Sequence, residues 1–189
     1  MGLDKLDILV NNAGVSQRSQ LQDTDFDTLE YIINTNTLGQ IYLIKALLPL
    51  LKKSKGHIVN ISSYTGLVGF TLRTGYSTSK FALAGFSRAL RGELTPHDVQ
   101  VTSVYPGFIR TNISSSAMTG TIGQTMGKTD PIIGNGMPVD EFSEIVLKSV
   151  YLGKTEVPVL NTISMHLRTI LTPINSFIEG AWADHDFKG

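Results

Sequence analysis

Residues 57–80 read HIVNISSYTGLVGFTLRTGYSTSK. The run His57 to Ile61 is almost wholly apolar instead of alternating, as expected of a strand covered on both faces of a parallel sheet. From about Tyr76 the pattern turns helical and continues to Leu94, with Phe81, Leu83, Ala84, Phe86 and Leu90 as its apolar positions. Three further runs of the strand type are Asp7 to Val10, Val99 to Tyr105 and Val157 to Leu160. Between the first two, Phe26, Leu29, Ile32 and Ile33 continue into Leu38, Ile41, Tyr42, Ile44, Leu48 and Leu51 at helical spacing. Strands alternating with crossovers long enough for helices predict an α/β fold, an open doubly wound parallel sheet.

Beyond the third strand, residues 112–137 are rich in Ser, Thr, Gly and Met with little periodicity. A connection of this length in a compact domain is a binding loop or a mobile lid. Val139 to Leu152 then reads as a helix. Residues 160–180 read as a terminal amphipathic helix carrying Leu167, Ile170, Leu171, Ile174 and Phe177. With no internal repeat and no linker, residues 1–189 are expected to form one domain.

Composition removes several classes of function. Sixteen basic residues offset sixteen acidic ones, so no net field favours nucleic acid or an anionic surface. The absence of cysteine excludes disulfides and thiolate metal sites and fits a reducing compartment, with the cytoplasm as the default. His57, His97, His166 and His185 are scattered without ligand spacing, so no metal is expected. The opening MGLDKLDILV is too short and too acidic for a signal peptide, and no apolar run is long enough to span a bilayer. Both sequons, at Asn60 and Asn112, fall on or beside expected core strands and are not expected to be glycosylated.

The chemistry concentrates in a few segments. Tyr76 and Lys80 stand four apart at a helix start and project from one face. A free phenol ionises near pH ~10, and a neighbouring ammonium lowers that value, so Tyr76 could serve as general acid or base. Thirteen residues earlier Ser63 follows a strand end, where such sheets bind ligands. Asn11-Asn12-Ala13-Gly14 directly follows the first strand, and Asn34-Thr35-Asn36-Thr37-Leu38-Gly39 lies inside a helix, where asparagine is costly and needs a reason. The third strand ends in Pro106-Gly107, followed by Ile109 and Thr111; Gly107 would let a flat ligand approach the backbone. Taken singly, each has a plain explanation: a helix-bending Asn36, a strand-capping Ser63, a surface pair of Tyr76 and Lys80.

Taken together and in this order, the segments resemble the short-chain dehydrogenase/reductase family in its non-extended form. The resemblance implies a nicotinamide cofactor, NAD or NADP, and interconversion of a secondary alcohol and a ketone. It implies a catalytic set of Asn36, Ser63, Tyr76 and Lys80: Tyr76 transferring the proton, Ser63 polarising the substrate oxygen, Lys80 binding the nicotinamide ribose and lowering the Tyr76 pKa, and Asn36 holding a water that links Lys80 to solvent. Asn11, Ala13 and Gly14 would line the adenosine side, and Pro106, Gly107, Ile109 and Thr111 would meet the nicotinamide. Complete members begin with a TGxxxGxG loop that holds the pyrophosphate, and this sequence starts beyond it, lacking the N-terminal βαβαβ half. Thr65-Gly66-Leu67-Val68-Gly69 and Thr119-Gly120-Thr121-Ile122-Gly123 lack the strand-to-helix context, and the P-loop-like stretch 123–129 is one residue short. Loss of that half should weaken cofactor binding and leave Asp7 to Val10 as an exposed edge.

The alternative is a non-catalytic partner that pairs with itself or with a complete relative through the helices around 36–51 and 76–94. A Ser-Lys hydrolase is a distant third, because no GxSxG elbow is present. The apolar loop and terminal helix favour a lipid-like or steroid-like carbonyl substrate. That helix could also touch a membrane surface, although its sparse basic residues favour packing on the protein body.

Overall fold

The computed structural model describes residues 4–160. Its strands are β1 (Ile8–Asn11), β2 (His57–Ile61), β3 (Gln100–Pro106) and β4 (Glu156–Val159); its helices are α1 (Phe26–Ile33), α2 (Gly39–Ser54), α3 (Thr74–Leu94), α4 (Pro131–Gly134) and α5 (Val139–Tyr151). The strands pair in the order β1-β2-β3-β4, all parallel. This is the expected α/β architecture.

Near-continuous apolar strands follow from cover on both faces, since successive side chains point to opposite sides. Leu9, Ile58 and Val101 pack with Ile44 and Leu51 of α2 and Leu90 and Leu94 of α3. Val59, Val104, Val157 and Val159 point the other way, where Phe142, Ile145, Val146 and Val150 of α5 meet them. The first strand fits the expected exposed edge: Ile8 and Val10, on the α5 side, are 54% and 56% exposed. Three strands are displaced by one residue from their apolar runs. Pairing, not hydropathy, sets the ends, so polar Asn11 joins β1 opposite Asn60, and Pro106 joins β3 opposite Val159.

The long helical stretch 26–54 runs through without a break, but residues 34–38 widen into a single π turn. Such turns insert an extra residue and gather at functional sites. Here the inserted turn carries Asn36, fully buried, and Thr37, whose hydroxyl donates to the Ser79 carbonyl at 2.9 Å.

Residues 112–137 are more ordered than a mobile lid requires. Met118 N–H donates to the Ser16 carbonyl, Arg18 N–H to that of Met118, and Asp25 N–H to that of Gly120. Arg18 forms an ion pair with Asp130, which caps α4 by accepting from the Ile132 N–H. Gly120 has φ +121°, and a Cβ there would lie 2.2 Å from the Asp23 carbonyl oxygen. Only glycine admits this close docking. The expected terminal amphipathic helix falls outside the described residues. Among the described residues, no helix is long and apolar enough to cross a membrane, and no three His, Asp or Glu side chains gather as a metal site would require. Asn60 is fully buried, whereas Asn112 is exposed.

Candidate active site

The site forms where the carboxyl ends of the strands meet the start of α3. Ser63 follows β2 in extended conformation and caps the short turn Tyr64–Gly66, its Oγ accepting from the Thr65 N–H at 3.2 Å. That turn packs tightly on α3: a Cβ at Gly66 would lie 2.8 Å from the Lys80 carbonyl oxygen and 2.6 Å from Ser62 Oγ. The start of α3 is held by buried Gln17, whose Oε1 accepts from the Gly75 N–H at 2.9 Å. Tyr76, one residue further, is therefore aimed by a side chain from the segment after β1.

Tyr76 and Lys80 are buried, at 6% and 3% exposure. Lys80 Nζ donates to the Ile61 carbonyl at 3.0 Å and lies 5.8 Å from the centre of the Tyr76 ring. Burial pushes the Lys80 pKa down to about 8. It pushes the Tyr76 phenol up, against a hydrogen bond with Ser63 and the charge of Arg73, which pull it down. The expected lowering by Lys80 is thus not what this arrangement produces. Removing the phenolate from water outweighs the favourable contacts.

Lys80 also links site and stability. Folded Lys80 releases its proton near pH 8, whereas the free side chain holds it to about 10.5, so the unfolded state binds more protons between those values and stability rises with pH across that window. Lys80→Met should flatten the rise in urea-unfolding free energy over this range by up to about 1.4 kcal/mol per pH unit. An unchanged slope would refute the lowered pKa.

Asn36 lies behind Lys80. Its Oδ1 accepts from the Val15 N–H at 2.8 Å, and its Nδ2 donates to the Val15 carbonyl and to Ser79 Oγ, both at 2.9 Å. The amide thereby clamps the turn after β1 to α3, with both N–H donors occupied. Gln40 supports the same turn by donating to the Ala13 carbonyl at 3.0 Å. A Cβ at Gly14 would stand 3.3 Å from Asn36 Oδ1 and 3.4 Å from Lys80 Nζ. Gly14 thus brings bare backbone against the Asn36 amide and the Lys80 ammonium.

A cavity of about 560 Å³ opens over this group. Gly14, Ser63, Tyr76, Lys80, Pro106, Gly107, Ile109 and Thr111 all line it. Asn11 and Ala13 do not: Asn11 donates to Asn60 Oδ1 at 2.8 Å within the sheet, and the Ala13 carbonyl is turned to Gln40. Asn12 of the same turn lines the wall beside Gly14. The far wall is apolar, with Ile113 and Ile133 from the loop region and Phe142, Val146 and Leu147 from α5. Sequence reading also missed Gln17, Gln40 and Arg73. Arg73 stands three residues before Tyr76, but it precedes α3 with φ −130° and ψ 33°, so helical spacing did not mark it. The two glutamines carry no local signal.

Among known proteins, a model of the family described as short chain dehydrogenase matches residues 1–121. The chain belongs to the short-chain dehydrogenase family. Dehydrogenase/reductase SDR family member 7B of Xenopus laevis is 39% identical over 170 residues, covering 88% of this chain and 52% of the relative. The SDR family protein 7-like of Drosophila melanogaster is 38% identical over 148 residues, covering 78% of this chain and 45% of the relative. This family member thus spans about half the length of the curated relatives it matches. A short chain dehydrogenase from Burkholderia cenocepacia solved in complex with NADP aligns with TM-score 0.76 and 25% identity, over 93% of this chain and 68% of that one. A short-chain dehydrogenase/reductase from Burkholderia phymatum, in complex with NAD, aligns with TM-score 0.77 at 17% identity, over the same shares of the two chains, and supports the fold alone.

Proposed function

We propose that this chain carries the catalytic half of an NAD- or NADP-dependent oxidoreductase that interconverts a secondary alcohol and a ketone, with Tyr76 as proton donor and acceptor. The observation that carries the reading is the convergence of Ser63, Tyr76 and Lys80 on one cavity, with the bare backbone of Gly14 against the Lys80 ammonium. Those residues fit a nicotinamide nucleotide. Lys80 and the backbone at Gly14 would hold the ribose, and Pro106, Gly107, Ile109 and Thr111 would hold the nicotinamide end. When bound, the cofactor supplies or accepts the hydride.

The chain's own residues handle the proton. Ser63 and Tyr76 line the same cavity, and one oxygen of a substrate carbonyl placed against both hydroxyls would be polarised by Ser63 and protonated by Tyr76. Asn36 positions this group through Val15 and Ser79 without lining the cavity, so we assign it a supporting role. The apolar wall from Ile113 to Leu147 favours a lipid-like or steroid-like carbonyl compound.

Titration calorimetry with NADH and NADPH tests the reading. One of them is expected to bind the folded chain with micromolar affinity, and Tyr76→Phe should bind it equally well, because the ring remains and only the hydroxyl is lost. Absence of binding to folded protein would overturn the cofactor assignment for this stretch.

A second reading, pairing without catalysis, draws on Tyr42 and Leu43 of α2 and Phe81 of α3, which are 65%, 44% and 44% exposed. Apolar side chains on two helices of one layer suit a helix-to-helix contact with a second copy or a complete relative. Light scattering at micromolar concentration distinguishes a dimer from a monomer.

A further inference from the structure

Tyr76 lies between two cations, of which only Lys80 belongs to the catalytic set described above. The other comes from Arg73, immediately before α3 and three residues ahead of Tyr76. Its guanidinium carbon is 6.0 Å from the centre of the Tyr76 ring. Its Nη1 donates to Ser16 Oγ at 2.7 Å and reaches the Gln17 carbonyl at 3.5 Å. Ser16 and Gln17 are both buried, so the anchor is part of the same frame that holds the first turn of α3.

We infer that Arg73 is a positioning residue for the proton chemistry of Tyr76, a fixed positive charge that favours the phenolate where Lys80 alone does not. The inference rests on the proposed role of Tyr76. Lys80 is a poor source of constant charge: burial brings its pKa to about 8, so its charge fades as the solution becomes alkaline. A guanidinium keeps its charge throughout that range and holds a planar, directed set of donors. Among the ion pairs of the described residues, none consumes Arg73; Asp130, the carboxylate nearest to it in charge, is paired with Arg18.

Lys80 and Arg73 lie on or at the start of α3, the hydroxyls of Ser63 and Thr65 approach from the segment after β2, and Arg18 and Asp130 stand behind Arg73. Burial raises the phenol, and after the Ser63 hydrogen bond the Arg73 charge is the next largest influence lowering it. Reciprocally, a phenolate at Tyr76 would raise the Arg73 pKa against burial.

The test reads Tyr76 alone. Difluorotyrosine placed at position 76 ionises at lower pH than tyrosine, within the range where the fold persists, and its fluorine signal reports the phenol without cofactor or substrate. Arg73→Gln keeps a donor for Ser16 and loses the charge. Its titration midpoint should rise by roughly 0.5–2 pH units, the span expected for a unit charge at this distance between surface-like and watery screening. Arg73→Lys should recover most of that rise. Arg18→Gln leaves the Arg73 anchor intact and frees Asp130 to offset its charge, so a smaller rise in the same direction is expected. Unchanged midpoints in Arg73→Gln, or in Arg18→Gln if the first variant does not fold, would overturn the inference. So would an Arg73→Lys midpoint displaced as far as that of Arg73→Gln. Because the readout needs no turnover, an inactive chain would count against the proposed function and leave this result legible.

Discussion

Tyr76→Phe is expected to reduce turnover by about 10²–10⁴-fold, the range in which a positioned proton donor contributes. The substitution removes one oxygen and leaves a buried ring of nearly the same volume, so neither the packing of α3 nor the Ile61–Lys80 contact should change. Ser63 would still hold the substrate oxygen but could not deliver the proton, since its own hydroxyl is far less acidic than a phenol. The loss should therefore fall on kcat, measured at saturating cofactor, with KM changed little. It should also abolish any pH dependence that arises from the phenol. A variant within threefold of the parent would remove Tyr76 from the mechanism and leave the convergence of Ser63, Tyr76 and Lys80 as a structural feature only.

Asn36→Ala is expected to cost roughly 1–3 kcal/mol of stability, because it strips both the N–H and the carbonyl of half-buried Val15, as well as buried Ser79 Oγ, of a partner. The π turn should also lose its reason to persist, since the extra residue serves to bring this amide under the turn after β1. Urea unfolding should show a lower midpoint with an unchanged slope. Asn36→Asp keeps an acceptor for the Val15 N–H but loses both donors and adds a charge beside Lys80, so it should fall between the alanine variant and the parent. A cost below about 1 kcal/mol in Asn36→Ala would show that the turn is held mainly by Gln40 and by its own backbone.

Much of this was readable in the sequence, for identifiable reasons. Apolar runs such as His57 to Ile61 carry their burial on both faces in their composition, and the helical spacing through Leu48 and Leu51 announces the layer that covers one of them. Position at a strand end and spacing on a helix made Ser63, Tyr76 and Lys80 local candidates, and only their order with the other motifs, which resembles a known family, joined them into one expected site. The asparagine inside a helix was correctly marked as needing an explanation, and the explanation is the clamp on Val15. Where the sequence misled, the cause was distance. The first half of the loop 112–137 looked unanchored because the hydrogen bonds that hold Met118 and Gly120 come from residues about a hundred positions earlier. Asn11 was expected at the cofactor only through the family resemblance, and the pairing register instead puts it opposite Asn60 within the sheet.

The resemblance of the whole motif set to a known family picked out Ser63, Tyr76 and Lys80, while apolar periodicity and spacing alone determined the class of the fold and the order of strands and helices. These are set by short-range periodicity and by the stereochemistry of strand ends, which a linear sequence displays. Only the tertiary structure decided the protonation landscape and the frame behind it: burial of Tyr76 and Lys80, the Gln17 anchor at Gly75, the Asn36 clamp, and Arg73 beside the phenol. Desolvation and long-range hydrogen bonds depend on what surrounds a group in space, and that surrounding is assembled from segments far apart in the chain.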